Sequence, residues 1–317
     1  MTSWCASTAL SLFLLLLFLL TSSTGSTGSH FSLFDEDDNN NTMATISART
    51  VLLTGATDGL GLATALRLAA GGHTLLLHGR SKKKLAAAAT AVRAVDGAGR
   101  VETYRADLSD LAQVSQMAAE VRAAESRIDV LINNAGVLKT SQPRTESGHD
   151  VRFVVNTLAP ALLTRELLPL VPPEGRLVHL SSAAQAAVNI AALEGEGELD
   201  DMDAYAQSKL ALTMWSQALA AELGPDGPVS VAVNPGSLLA TKMVREGFGV
   251  SGSSVEQGTD ILTRAAFSDE FADASGRYFD NDSGSFASPH PAASKSKTVA
   301  AVVGTIESLI AEHKSAI

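Results

Sequence analysis

Tyr205 and Lys209 stand four positions apart in Tyr205-Ala-Gln-Ser-Lys209, so on a helix a phenol and an ammonium project from one face. A phenol with its ordinary pKa near about 10 is a poor base at neutral pH, and a nearby cation favours its phenolate. Lowered by about two to three units, roughly 3 to 4 kcal/mol of interaction, it can trade a proton with an alcohol or carbonyl oxygen while a hydride moves. Position gives the pair its weight. It opens a helix downstream of an apolar run that ends in Ser181-Ser182, and a serine hydroxyl there can orient the reacting oxygen and share developing alkoxide charge. Cys5 is the single cysteine and the 7 histidines lack ligand-like spacing. No metal centre, disulfide or thiol nucleophile is therefore expected.

A hydride needs a carrier, and the other end of the chain suggests one. Thr54-Gly55-Ala56-Thr57-Asp58-Gly59-Leu60-Gly61 follows the apolar run Val51-Leu52-Leu53 directly. Glycines at such a junction let the backbone turn tightly and approach a pyrophosphate, whose charge then meets the N–H groups opening the next helix. Further on, His78-Gly79-Arg80-Ser81 ends the second apolar run, and no acidic residue lies between Asp58 and Asp96. A carboxylate there would favour the ribose hydroxyl of NAD, whereas a guanidinium suits the 2′-phosphate of NADP, so NADP(H) is favoured over NAD(H). Lys82 to Lys84 add positive field; the alternative is that Arg80 and these lysines form a solvated helix start. Asp107 can accept from an adenine amino group or cap a helix starting near Ser109. Asn133-Asn134-Ala135-Gly136 closes the fourth apolar run.

Groups so far apart in sequence meet only if the chain repeatedly folds back. From Arg49 onward short apolar runs alternate with longer Ala- and Leu-rich stretches, the pattern of βαβ units in a parallel sheet. The expected strands are Val51–Leu53, Thr74–His78, Val101–Tyr104, Val130–Ile132, Leu177–Leu180, Val229–Val233 and Arg277–Phe279. The expected helices cover 60–70, 82–95, 111–124, 149–168 and 204–223. The fold class is therefore α/β: a single Rossmann-type doubly wound sheet of about seven strands with helices on both faces. Two loops, 183–203 with its acidic Glu194-Gly-Glu-Gly-Glu198 run and 238–257, flank the chemistry and suit lids or substrate walls.

Residues 1–47 are expected to lie outside this domain, which takes 48–317. Ala9 to Leu20 is an apolar run shorter than a comfortable bilayer span. It reads as a targeting or anchoring segment, giving membrane association and an endomembrane location. No Lys or Arg precedes Arg49, however, and Met43 as the true start would make the protein cytoplasmic. The net charge of −10 disfavours nucleic acid as a partner.

Taken in order, Thr54 to Gly61, Asp107-Leu108, Asn133 to Gly136, Asn156, Ser181-Ser182, Tyr205-xxx-Lys209 and Asn234-Pro235-Gly236 resemble the short-chain dehydrogenase/reductase family from about Arg49 to the chain end. The resemblance implies that Tyr205 is the acid/base, that Lys209 also holds the nicotinamide ribose, and that Ser182, the second of its pair, positions the reacting oxygen. Asn156 then supports a water-linked proton relay. Thr54, Gly55, Thr57, Asp58, Gly59, Leu60, Gly61, Arg80, Asp107, Leu108, Asn133, Asn134, Ala135, Gly136, Pro235 and Gly236 join Tyr205 and Lys209 around the cofactor. The 22 residues between Ser182 and Tyr205, and the run Ser275-Gly-Arg-Tyr-Phe279, are similar to the retinol-dehydrogenase-like branch. That implies a small-molecule carbonyl or alcohol substrate of lipophilic character, such as a retinoid, steroid or aldehyde; a homo-oligomer is compatible with it. Protochlorophyllide reductases have a similar layout, but no cysteine follows Cys5. Extended-family epimerases share the Tyr-xxx-Lys pair but differ in glycine spacing and carry a sugar-binding domain. The alternative to an enzyme is a nucleotide-binding redox sensor or scaffold without turnover.

Overall fold

The leucine- and valine-rich runs cannot expose either face to water, so they pair as strands buried between two helical layers. The computed structural model describes residues 48–237, 239, 252 and 254–316. Parallel strands β1 (Thr50–Leu53), β2 (Thr74–His78), β3 (Val101–Tyr104), β4 (Val130–Asn133), β5 (Arg176–Leu180), β6 (Val229–Asn234) and β7 (Tyr278–Asp280) form the sheet, and β8 (Ser285–Ala287) adds an antiparallel edge. The order β3-β2-β1-β4-β5-β6-β7-β8 reverses direction between β1 and β4. The carboxyl ends of those strands thus border the crevice where such sheets bind ligands.

One face is covered by α1 (Gly59–Ala70), α2 (Lys82–Arg93) and a later helix at Val255–Phe267; the other by α3 (Leu111–Ala124) and the helices between β4 and β6. Asp58 caps α1, Ser81 caps α2 and Asp110 caps α3, each satisfying N–H groups that a first helical turn leaves unpaired.

The expected single helix over 149–168 is three pieces: α4 (Val151–Phe153), a π-helical turn Val154–Leu158, and α5 (Ala159–Leu167). Pro160 has no N–H to offer the carbonyl of Asn156 four residues back. The turn accordingly widens, and the Ala159 N–H bonds to the Val154 oxygen instead. After the short α6 (Ile190–Leu193), α7 runs from Asp201 to Leu223, α8 from Val255 to Phe267 and α9 from Ser296 to Ala316. Where about seven strands were expected, the sheet has eight among the described residues. Ser285–Ala287 is too short and polar to announce itself, and it is held by Phe286 against Phe279 with ring centroids 5.0 Å apart. Of the expected loop 238–257, all but Leu239, Gly252 and 254–257 lies outside the described residues, as does the 1–47 segment.

A buried cation fixes α7 against the loop before α4. Arg152 is 1% exposed and makes a two-pronged pair with Asp150, Nε to Oδ1 at 2.8 Å and Nη2 to Oδ2 at 2.6 Å. Its Nη1 reaches Asp201, the first residue of α7, one turn before Tyr205. Removing one partner of a buried pair leaves an uncompensated charge. Arg152→Met is therefore expected to lower unfolding free energy by about 3 kcal/mol in urea titrations; a loss under about 1 kcal/mol would show that the pair does not carry this contact.

Candidate active site

A cavity of about 750 Å³ opens along the carboxyl ends of the strands. Gly55, Thr57, Asp58, Gly59, Leu60 and Gly61 line one wall; Arg80, Asp107 and Leu108 line the next; Asn134, Ala135 and Gly136 form its floor. Ser182, Tyr205 and Lys209 line it from the end of β5 and from α7, and Pro235 and Gly236 from the end of the neighbouring β6. Thr54, Asn133 and Asn156 are not part of the lining and sit behind it.

The three residues behind the wall brace it. The Thr54 hydroxyl accepts from the Asn134 and Ala135 amides at 3.0 and 3.1 Å, and Asn134 Nδ2 donates to the Thr54 oxygen at 2.8 Å, so the ends of β1 and β4 are stapled together. Gly61 is required by this closeness, because a Cβ there would stand 2.1 Å from the Gly55 oxygen. Asn133 turns away from the cavity, donating to Thr164 Oγ1 at 3.0 Å beside His179. Asn156, fully buried in the π turn, accepts from the Val137 N–H at 2.8 Å and donates to the Val137 oxygen at 3.0 Å and to Ser208 Oγ at 3.0 Å.

His78 is a brace that the sequence reasoning missed. Its Nδ1 accepts from the Gly55 N–H at 3.2 Å and its Nε2 pairs with the Ala106 oxygen at 3.1 Å. Burial drives its pKa down to about 4, so the ring stays neutral, with Nε2–H as the donor these partners demand. It ties the glycine turn to the ends of β2 and β3. The available signal was a histidine directly before Gly79-Arg80 at a strand end.

Beyond the ends of β2 and β3 Arg80 is 75% exposed, with Nη1 3.9 Å from Asp107 Oδ2. Asp107 Oδ1 accepts from the Ser109 N–H and hydroxyl at 3.0 and 2.7 Å, an Asx turn; the cap of α3 is Asp110, so the capping alternative for Asp107 fails as stated. Lys84 bonds Asp58 Oδ2 at 3.0 Å across the glycine turn. Two cations thus stand around this end of the cavity.

On α7, Lys209 is 4% exposed and donates Nζ to the Leu180 oxygen at 2.7 Å, with its ammonium 5.7 Å from the Tyr205 ring centroid. Burial lowers its pKa to about 8. Tyr205 differs from expectation: burial raises its phenol pKa, and the hydrogen bond with Ser182, which favours the phenolate, pulls the other way. The serine pair is sorted by direction. The Ser181 hydroxyl points into α7 at Thr213 Oγ1, 2.7 Å away, whereas Ser182 meets the phenol.

With this geometry in view, the comparisons are specific. The short chain dehydrogenase family model matches residues 49–248. The chain belongs to that family. Retinol dehydrogenase 13 of Homo sapiens is 34% identical over 265 residues, covering 75% of this chain and 77% of that protein. Retinol dehydrogenase 12 of Mus musculus is 31% identical over 251 residues, covering 75% and 79%. Among solved structures, an uncharacterized protein from Mycobacterium Paratuberculosis superposes with a TM-score of 0.69 at 29% identity, covering 83% of this chain and 93% of that one. A candidate gluconate 5-dehydrogenase from Beutenbergia cavernae with bound NADP gives 0.61 at 25%, covering 75% and 97%. The protein is thus an oxidoreductase of the retinol-dehydrogenase-like branch, of a family that uses nicotinamide dinucleotides. Among the described residues no helix is long and apolar enough to cross a membrane.

The buried lysine gives a stability test with a defined sign. Between pH about 8 and the ordinary lysine value of 10.5 the native chain has released a proton that the unfolded chain still holds. Stability then rises with pH. With Tyr205→Phe in both chains so that the phenol does not contribute, the protein with Lys209 should gain stability relative to the one with Lys209→Met across that window; parallel curves would contradict the burial of a titrating lysine.

Proposed function

We propose that the protein moves a hydride between NADP(H) and a lipophilic alcohol or carbonyl, with Tyr205 as acid/base, Lys209 and Ser182 beside it, and Asn156 supporting proton delivery. The observation that carries this reading is that one cavity joins the glycine turn, the cations Arg80 and Lys84, and the Tyr205-Lys209-Ser182 cluster. The residues fit a dinucleotide. A glycine turn leads into the N-terminus of α1, where N–H groups suit a pyrophosphate; Arg80 offers a planar fork to a 2′-phosphate and Lys84 a second charge. Thr54 and Asn134 hold the glycine turn against the end of β4, and Asn133 anchors that strand end to Thr164 behind it. The nicotinamide, when bound, supplies or takes up the hydride.

Everything else is done by the chain. In reduction Tyr205 gives its proton to the carbonyl oxygen, and Ser182 shares the negative charge that develops there. In oxidation the phenol must first be a phenolate. Burial opposes that, so the positive charge of the oxidised nicotinamide has to add to the Lys209 ammonium and the Ser182 hydrogen bond. Lys209 bonded to the Leu180 oxygen has further N–H donors to offer a ribose hydroxyl. Asn156, clamped to Val137 and Ser208, lies one turn of buried structure behind Tyr205 and orders the route by which a replacement proton arrives.

Lipophilic substrates are supported by the walls beside this cluster, which are Val137, Leu138, Ala184, Met202 and Leu239. Met202 is a large apolar side chain 37% exposed at that rim, a polarisable and adaptable surface for an apolar guest. Residues 48–317 form the catalytic unit, and the apolar run 9–20 targets it to, or anchors it at, an endomembrane surface.

Two measurements bear on this. Arg80→Asp should raise KM for NADPH by about tenfold or more while changing KM for NADH far less; a wild-type preference for NADH would contradict the cofactor assignment. On a panel of retinoid, steroid and aliphatic carbonyls with NADPH, Tyr205→Phe should lose at least about a hundredfold in turnover, and near-native turnover would remove Tyr205 from the mechanism.

A further inference from the structure

Ser182 lies two residues beyond the end of β5, outside the strand ladder that fixes Leu180. Its hydroxyl accepts from the Ala184 N–H at 3.1 Å, closing a turn around the Ser182 carbonyl, and that carbonyl is held by two side chains. Tyr278 donates its hydroxyl to the Ser182 carbonyl at 3.1 Å. Gln185 donates Nε2 to the same oxygen at 2.9 Å, and its amide oxygen accepts from the His290 N–H at 2.9 Å. Both grips lead to the stretch 278–290, beyond the residues 49–248 that the family model matches.

Of the two, Tyr278 is the stiffer. It is 5% exposed and paired in the sheet on both sides, with Ala232 of β6 and Ala287 of β8. Its backbone therefore cannot drift, and the ring sets a fixed reach from the sheet to the carbonyl. Burial, reinforced by the carboxylates of Asp280 and Asp282, pushes its phenol pKa far above the ordinary tyrosine value, so it stays a donor. It is not part of the cavity lining, so it acts through Ser182. A reacting group held by rigid neighbours keeps the geometry that its chemistry needs.

We propose that Tyr278 is a positioning residue that fixes the peptide plane of Ser182 and so aims the Ser182 hydroxyl at Tyr205 and the reacting oxygen. This rests on the roles given to Ser182 and Tyr205 above. It makes β7, the last parallel strand of the sheet, part of the catalytic apparatus.

Tyr278→Phe keeps the buried ring and removes the donor. In oxidation of retinol, or of the panel alcohol turned over fastest, kcat should fall about five- to tenfold. KM for NADP+ should stay within about twofold, and the acid limb of the kcat profile should move to higher pH, since a misdirected Ser182 favours the phenolate less. A purely structural role would lower the melting temperature while leaving kcat per folded molecule and the acid limb unchanged, and that result would overturn the proposal. If Tyr278→Phe does not fold by circular dichroism, Gln185→Ala, on a half-buried loop, is judged by the same kcat and acid-limb criteria. Ser182→Ala and Tyr205→Phe separate the two levels. If both are inactive while Tyr278→Phe equals wild type, the positioning claim alone fails; if both remain active, the reading of the site fails and takes the proposal with it.

Discussion

A buried ammonium bonded to a main-chain oxygen governs this site. Lys209 Nζ donates to the Leu180 carbonyl at 2.7 Å, deep in the protein and 4% exposed. Burying such a charge is costly, which is why its pKa falls to about 8. The fold bears that cost at one place, where the ammonium lies under the Tyr205 ring and beside the strand end that carries Ser182. A cation in that position keeps its field unscreened for whatever charge develops on the phenol.

The rest of the architecture keeps that cluster in one cavity with the glycine turn. Thr54 and Asn134 join β1 to β4, His78 joins the glycine turn to β2 and β3, and the buried Arg152 locks the start of α7. The π turn has a comparable task. Pro160 forces the helix to widen where Asn156 grips both the N–H and the carbonyl of Val137, while Thr157 Oγ1 bonds the Ser208 oxygen at 2.8 Å. Two successive turn residues thereby hold α7 at the position between Tyr205 and Lys209.

Much of this was legible in the sequence because local rules and tertiary outcome agree. The runs Thr74–His78, Val101–Tyr104 and Leu111–Ala124 became elements with the expected bounds, since alternation of apolar strands and helix formers leaves few other folds. The glycine turn, Arg80 and the Tyr205-Lys209 pair fell around one cavity, each announced by a residue type with a narrow use. What stayed hidden depends on contacts between distant positions. Nothing near Asn133 or Thr54 says that they face away from the cavity; that follows from which side of a strand end they occupy. His78, Arg152 and Tyr278 read as ordinary core or surface residues until their distant partners Gly55, Asp201 and Ser182, 23 to 96 positions away, are known. The phenol is the sharpest case. Spacing suggested an acidified tyrosine, but the helix that presents it also buries it, and burial acts in the opposite sense.

The central claim is therefore that Tyr205 becomes a base only when a positive nicotinamide joins the Lys209 ammonium. Ultraviolet difference titration of the phenols, taken as wild type minus Tyr205→Phe, with and without saturating NADP+, tests it directly. Tyr205 should ionise above the ordinary value of about 10 without the nucleotide and more than about one unit below it in the complex. A titration that NADP+ does not move would contradict the account.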